Sequence, residues 1–282
     1  HAPPTRRWWE GADQLMATAT VNGVTLRYDV QGDGPPLLLI SGLGQSSLAW
    51  APVVPRLTAD YTVITFDNRG TGRSDVPPGP YAIDDLGDDT AALIDHLGVG
   101  PVRAVGWSLG GSVLQSMLIR HARVLSRAVL LSAFPSYTPV QHAWLDAGLT
   151  LRRAGIDPVT LGIQGMAWGF TARLLADHER AAAQAELVRK DPHPTTLAGY
   201  EAQAAGLRVY DSRPHLPSAR TPTLVLVGAE DVLTPVSQSV EIAELMPNAT
   251  LQVLPRGGHS MILEYPDDTI AAITAFLGKD TS

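Results

Sequence analysis

The 282 residues are 45% hydrophobic and 17% charged, which marks a folded chain long enough for one large α/β domain or a domain carrying an insertion. A net charge of −7 argues against a nucleic-acid surface. Without cysteine there are no disulfides, thiolate catalysis or cysteine metal sites, and no apolar run approaches the roughly 18 residues of a membrane span.

The first residues, HAPPTRRWWEGADQL, lack the apolar stretch of a secretory signal and read as an N-terminal arm over residues 1–16, so the cytoplasm is the expected compartment. Residues 17–21 and 24–30 alternate around Asn22-Gly23, a dipeptide that tolerates positive φ, and predict a hairpin. Short runs follow at 37–40, 62–66, 102–105 and 128–131, apolar throughout, as strands of a parallel sheet covered on both faces must be. Helical stretches fall between them at about 47–57, 84–97 and 109–121. The alternation resumes with a strand at 223–227, a helix near 235–245, a strand at 251–254 and a last helix near 266–277. This predicts a hairpin leading into a doubly wound α/β sheet formed by residues 17–134 and 216–282.

Residues 135–215 break that rhythm. They read as helical throughout, and an all-α insertion here is expected to lie as a cap over the carboxyl edge of the sheet, where open α/β sheets place ligands. Trp144, Met166, Trp168 and Phe170 would then be cap core or the wall of an apolar pocket.

The stretch Gly106-Trp107-Ser108-Leu109-Gly110 fits G-x-S-x-G, with a predicted strand before it and a helix after it. A residue on so sharp a bend takes strained backbone angles, and side chains at the flanking positions would collide with the turn. Serine is a poor nucleophile unless a histidine, itself oriented by a carboxylate, takes its proton. Of eight histidines only His259, in PRGGHSMILEYP, follows the last strand. The preceding strand end, LVLVGAEDVLTP, offers Glu230 and Asp231. Asp231 is the expected partner, with Glu230 turned toward solvent. The other strand end at which such an acid can sit reads LLSAFPSY and carries none. In SGLGQS, the Leu43 N–H is positioned to oppose that of Leu109 as a second donor to a developing oxyanion.

These segments, together with FDNRGTGRSD, resemble the α/β-hydrolase superfamily over about residues 18–278. Within it the chain looks like the lid-bearing bacterial esterases and lactonases, and is similar to 3-oxoadipate enol-lactonases, aclacinomycin-type methylesterases and cofactor-free haloperoxidase-like perhydrolases. The resemblance implies that Asp67 to Ser74 form a structural turn. One departure is Ser41, where the family usually carries histidine before the glycine. A serine nucleophile disfavours haloalkane dehalogenase and epoxide hydrolase chemistry, which needs a carboxylate.

The expected activity is hydrolysis of a carboxylic ester or lactone, a small to medium and largely apolar molecule, with no metal or organic cofactor. C–C bond hydrolysis, thioester hydrolysis and perhydrolysis use the same three residues, and a non-catalytic ligand receptor could keep them. A dinucleotide-binding reading, with Gly42-Leu43-Gly44 as a phosphate loop and Asp67 as the ribose acid, leaves Ser108, Asp231 and His259 unexplained. The sequence sets no oligomeric state.

Overall fold

The structure, a computed structural model, describes residues 17–278, so the arm predicted over residues 1–16 lies outside the described residues. Eight strands form one sheet: β1 (Ala17–Val21), β2 (Val24–Gln31), β3 (Pro36–Ile40), β4 (Thr62–Phe66), β5 (Val102–Trp107), β6 (Leu125–Leu131), β7 (Thr223–Gly228) and β8 (Ala249–Leu254). Their order is β1-β2-β4-β3-β5-β6-β7-β8. The β1–β2 hairpin turns at Asn22 and Gly23, with φ of 48° and 77°. It pairs antiparallel with β4 through β2, and every later pairing is parallel.

The central strands are apolar on both faces because each face meets its own core. Leu38 and Ile40 of β3 belong to one core, and Leu37 and Leu39 to the other, as a period of two requires. The first core is filled by α2 (Ile83–Leu97), α3 (Leu109–Arg120) and α9 (Val236–Leu245). The second is filled by α1 (Val54–Leu57), α10 (Met261–Glu264) and α11 (Pro266–Leu277).

Two expectations need correction. The helix predicted over 47–57 is a 3₁₀ turn at Ser47–Trp50 followed by the single turn of α1. Pro52 and Pro55 lack the N–H groups that a continuous helix needs, so the run is interrupted. Strand β6 starts three residues earlier than its apolar run. Ser126 and Arg127 hide its beginning, although Arg127 pairs with Arg103 and lays its guanidinium over the Phe276 ring at 5.4 Å.

Between β6 and β7 lie α4 (Pro139–Arg153), α5 (Pro158–Gly169), α6 (Ala172–Ala176), α7 (His178–Arg189) and α8 (Leu197–Val209). The β-type pairing in this stretch is a single bridge, Ser136 to Asp211. Ala202 and Leu207 of α8 are part of the first core, so this helix packs into the body of the fold. Among the described residues no helix is long and apolar enough to cross a membrane.

Backbone packs closely on backbone at the start of α3. A Cβ on Gly110 would overlap the Ile40 carbonyl oxygen, whereas one on Gly98, in the left-handed cap of α2 at φ 65°, would meet nothing within 4 Å. Gly110→Ala is therefore expected to cost about 3 kcal/mol, against about 1 kcal/mol for Gly98→Ala. Urea unfolding of the two variants measures this, and equal costs would contradict the packing described.

Candidate active site

Ser108 is the hinge between β5 and α3, with φ 58° and ψ −117°, angles that cost a non-glycine residue about 1–3 kcal/mol. The surrounding backbone over-determines the bend. The Ser108 N–H donates to Leu131 O at 3.0 Å, and its carbonyl accepts from Gly111 N at 2.8 Å. A Cβ on Gly106 would overlap Gly110 O, and one on Gly111 would lie 2.6 Å from the Ala133 Cβ. Small residues at 106, 110 and 111 thus let the bend close, and Ser108 is left half-buried rather than covered.

His259 and Asp231 come from the loops after β8 and β7. Those loops meet because Gly228 and Gly257 abut without side chains, with Glu230 N donating to Gly257 O at 3.1 Å. Asp231 Oδ2 lies 3.1 Å from His259 Nδ1, across 28 residues of sequence. The other oxygen, Oδ1, accepts from the N–H groups of Leu233 (3.0 Å) and Thr234 (2.8 Å). Burial pushes the Asp231 carboxyl up, but the His259 charge and these hydrogen bonds outweigh it and hold the group below its ordinary range. Glu230 is exposed.

The sequence reading missed Thr234. Its Oγ1 sits 2.7 Å from Asp231 Oδ2, 3.0 Å from His259 Nδ1 and 3.1 Å from Ser132 O. An ionised carboxylate only accepts, so Nδ1 carries the ring proton and Nε2 keeps its lone pair. The signal was present in DVLTP, where a threonine three residues after an aspartate closes a short turn over the carboxylate.

Trp107 ties this histidine to the serine, since its Nε1 donates to the His259 carbonyl at 3.0 Å. Glu264, 1% exposed, holds the same loop from below by accepting from Gly258 N at 3.2 Å and from the Thr171 hydroxyl before α6. Ser260 N donates to Gly169 O at 2.7 Å.

The loop after β3 passes beside Ser108, and a Cβ on Gly42 would stand 3.5 Å from the Ser108 Cβ. Gln45 holds Gly42 at both ends: Gln45 N donates to Gly42 O and Gly42 N donates to Gln45 Oε1, each at 3.2 Å. Ser41, in the position of the family's histidine, donates from Oγ to Ser46 O at 3.1 Å and closes the loop on itself. Among the described residues the N–H groups of Leu43 and Leu109 have no acceptor.

Asp67 is 2% exposed, and its oxygens accept from Ser47 N (2.7 Å) and Arg73 N (2.9 Å), so it sits buried in a structural turn rather than open to a ribose. Trp144 packs against the cluster that Leu145, Leu149, Tyr200 and Ala204 form, Met166 is buried, and Trp168 and Phe170 are half-buried. Among the described residues no group of three His, Asp or Glu side chains could hold a metal ion.

Residues 35–266 match the family model described as the alpha/beta hydrolase fold. "Putative carbamate hydrolase RutD" of Caulobacter segnis is 31% identical over 275 residues, covering 93% of this chain and 99% of that protein. "3-oxoadipate enol-lactonase 2" of Acinetobacter baylyi is 30% identical over 267 residues, covering 93% of this chain and 96% of that one. The solved enol-lactonase of Burkholderia xenovorans superposes with a TM-score of 0.83 at 27% identity, over 93% of this chain and all of that one. With the sheet order, the bend at Ser108 and these matches together, the chain belongs to the alpha/beta hydrolase fold family.

Proposed function

We propose that this hydrolase cleaves a carboxylic ester or lactone through an acyl-enzyme on Ser108. The observation that carries the reading is the Nδ1 side of His259 committed to Asp231 and Thr234, behind a serine held at positive φ. Nε2 is then the ring nitrogen available to take the Ser108 proton as Oγ bonds to the substrate carbonyl carbon. The oxyanion that forms accepts from the N–H groups of Leu43 and Leu109, where each donor lowers the barrier by roughly 3 kcal/mol. Collapse breaks the bond to the leaving alcohol, which takes the proton back from His259. Water, deprotonated by the same nitrogen, then frees the acid and restores Ser108. Asp231 orients His259 and stabilises its imidazolium.

Residues 135–215 serve as the cap over this site. The apolar cluster of Leu145, Leu149 and Tyr200, with Leu43, Tyr137 and Trp144 packed on it, supports a largely apolar substrate of small to medium size. A second reading has one specific support, the likeness to a protein named as a carbamate hydrolase. A carbamate presents the same carbonyl to the same groups and differs in its leaving amine.

The first test is labelling with a fluorophosphonate, read by intact mass. Wild type is expected to gain one adduct and Ser108→Ala none, after which turnover of matched esters, lactones, thioesters and carbamates ranks the substrate class. A folded wild type that takes no adduct and turns over none of them would remove the reading.

Asp231→Asn supplies a second test. The substitution is expected to lower kcat about 10³-fold or more. Because the native carboxyl is held below its unfolded value of about 3.9, its stabilising contribution is complete above that pH and is lost as pH falls through the folded value. Urea midpoints at pH 6 and pH 3 should therefore drop further for wild type than for Asp231→Asn. Equal drops would mean that the carboxylate is not stabilised as described.

A further inference from the structure

The peptide units on either side of Leu43 are both pinned, and by different parts of the chain. Gln45, within the loop, holds the carbonyl of Gly42, and since N–H and C=O oppose each other in a trans peptide this directs the Leu43 N–H the other way. The next unit is held from a distance. Its Gly44 N–H donates to Gln203 Oε1 at 3.1 Å, and the unit after that is held where Gly44 O accepts from Thr195 Oγ1 at 2.9 Å. Gln203 is completely buried, and its amide nitrogen donates to Arg69 O at 2.8 Å, so both ends of the side chain are fixed.

The reach of Gln203 depends on how α8 docks. Gly199, one turn earlier on the same helix face, lies against Gly70, where any Cβ would overlap the Gly70 carbonyl oxygen. Gly206 makes the same kind of contact with Tyr81, and Ala202 O accepts from Tyr81 N at 3.0 Å. A helix held by backbone contact at three successive points cannot slide, so the Gln203 amide has a fixed position. Gly44 itself is at φ 65°, with the Tyr200 ring 2.7 Å from where its Cβ would stand.

We propose that Gln203 is a positioning residue for the oxyanion: from the inserted helices it clamps the Leu43–Gly44 peptide against Arg69 O and so aims the Leu43 N–H. The inference rests on the assignment of Leu43 and Leu109 as oxyanion donors. A clamp of this kind acts on the tetrahedral state rather than on bound substrate, so its loss lowers kcat and leaves KM nearly unchanged.

Gln203→Glu gives a signature that packing alone does not. As a neutral acid in this buried place, glutamic acid accepts from Gly44 N–H and donates to Arg69 O as glutamine does. Once ionised it can only accept, and it faces a carbonyl oxygen. Of the neighbouring titratable groups, Arg69 is ion-paired with Asp89 at 2.6 Å and stays charged, while burial pushes the phenols of Tyr81 and Tyr200 up, so none of them titrates between pH 5.5 and 9.

The experiment compares wild type, Gln203→Leu, Gln203→Glu, Thr195→Val and Ser108→Ala on one turned-over ester, with a trifluoromethyl ketone as the tetrahedral mimic. Gln203→Leu is expected to lose about tenfold or more in kcat and in ketone affinity with KM within about twofold, and Thr195→Val to lose less. The ratio of Gln203→Glu to wild-type kcat/KM should start near one at low pH and fall as pH rises. Wild-type ketone affinity in Gln203→Leu, a loss confined to KM, or a pH-independent Gln203→Glu ratio would overturn the proposal. If melting shows that Gln203→Leu is unfolded, the near-isosteric Gln203→Glu carries the test alone. Failure of the parent reading looks different, because wild type would then take no fluorophosphonate adduct at Ser108.

Discussion

Three stretches of chain meet where β5 turns into α3 with nothing larger than a methyl group between them, and the site depends on that contact. The end of β3 presses on Gly110, the bend closes on Gly106, and Ala133 after β6 lies against Gly111. No rotamer change can relieve such a contact, so it leaves little freedom at the Ser108 position. The strain at Ser108 is sustained because α3 is buried along nearly its whole length, with Leu109, Val113, Leu114 and Met117 in the first core. Packing energy accumulated along twelve residues outweighs a local cost of about 1–3 kcal/mol at one of them.

Two buried aspartates show how little separates a structural carboxylate from one available for chemistry. Asp67 gives one oxygen to Ser47 N–H and the other to Arg73 N–H, and both are spent on backbone. Asp231 gathers its two backbone N–H groups on Oδ1 alone, leaving Oδ2 for Thr234 and His259. The tight turn through Leu233 and Thr234 makes the difference by delivering both amides to one side. Buried negative charge is tolerable in each case because it is fully hydrogen-bonded. Only the second arrangement leaves that charge in contact with a group that changes protonation.

The elements that were legible in the sequence are those whose signal is local. The central strands announced themselves by runs apolar on both faces, and α2, α3, α9 and α11 by their spacing after them. Of the candidate site, the bend at Ser108 was legible because its glycines lie within three residues of it, and the pairing of Asp231 with His259 because the order of strands leaves few other places. Thr234 was nearly legible, being part of the same turn as Asp231. Gln203 and Glu264 were not. Gln203 works through Gly44 and Arg69, and Glu264 through Thr171, at separations of 159, 134 and 93 residues, and nothing in the local pattern of a helix distinguishes a buried glutamine that braces a loop from one that faces water. The break at 47–57 was missed for the opposite reason: its apolar spacing is helical, and the two prolines override it.

The glycine contacts of α8 also set a boundary for change. Its small face at Gly199, Ala202 and Gly206 is matched to the backbone of the turn from Arg69 to Tyr81, so this helix belongs mechanically to the body of the fold although its sequence lies in the insertion. Of the preceding helices, α5 also meets the body backbone to backbone, where Gly169 O accepts from Ser260 N at 2.7 Å beside His259, and Thr171 before α6 donates to Glu264. Exchanging α4 to α7 for another helical segment spares Gln203 and Thr195 but loses both of these holds on the loop that carries His259. Exchanging the whole stretch between β6 and β7 removes the support of the Leu43 loop as well. Grafts made to broaden the range of accepted molecules should accordingly keep Gly169 and Thr171 and be cut before Asp191 rather than at β7.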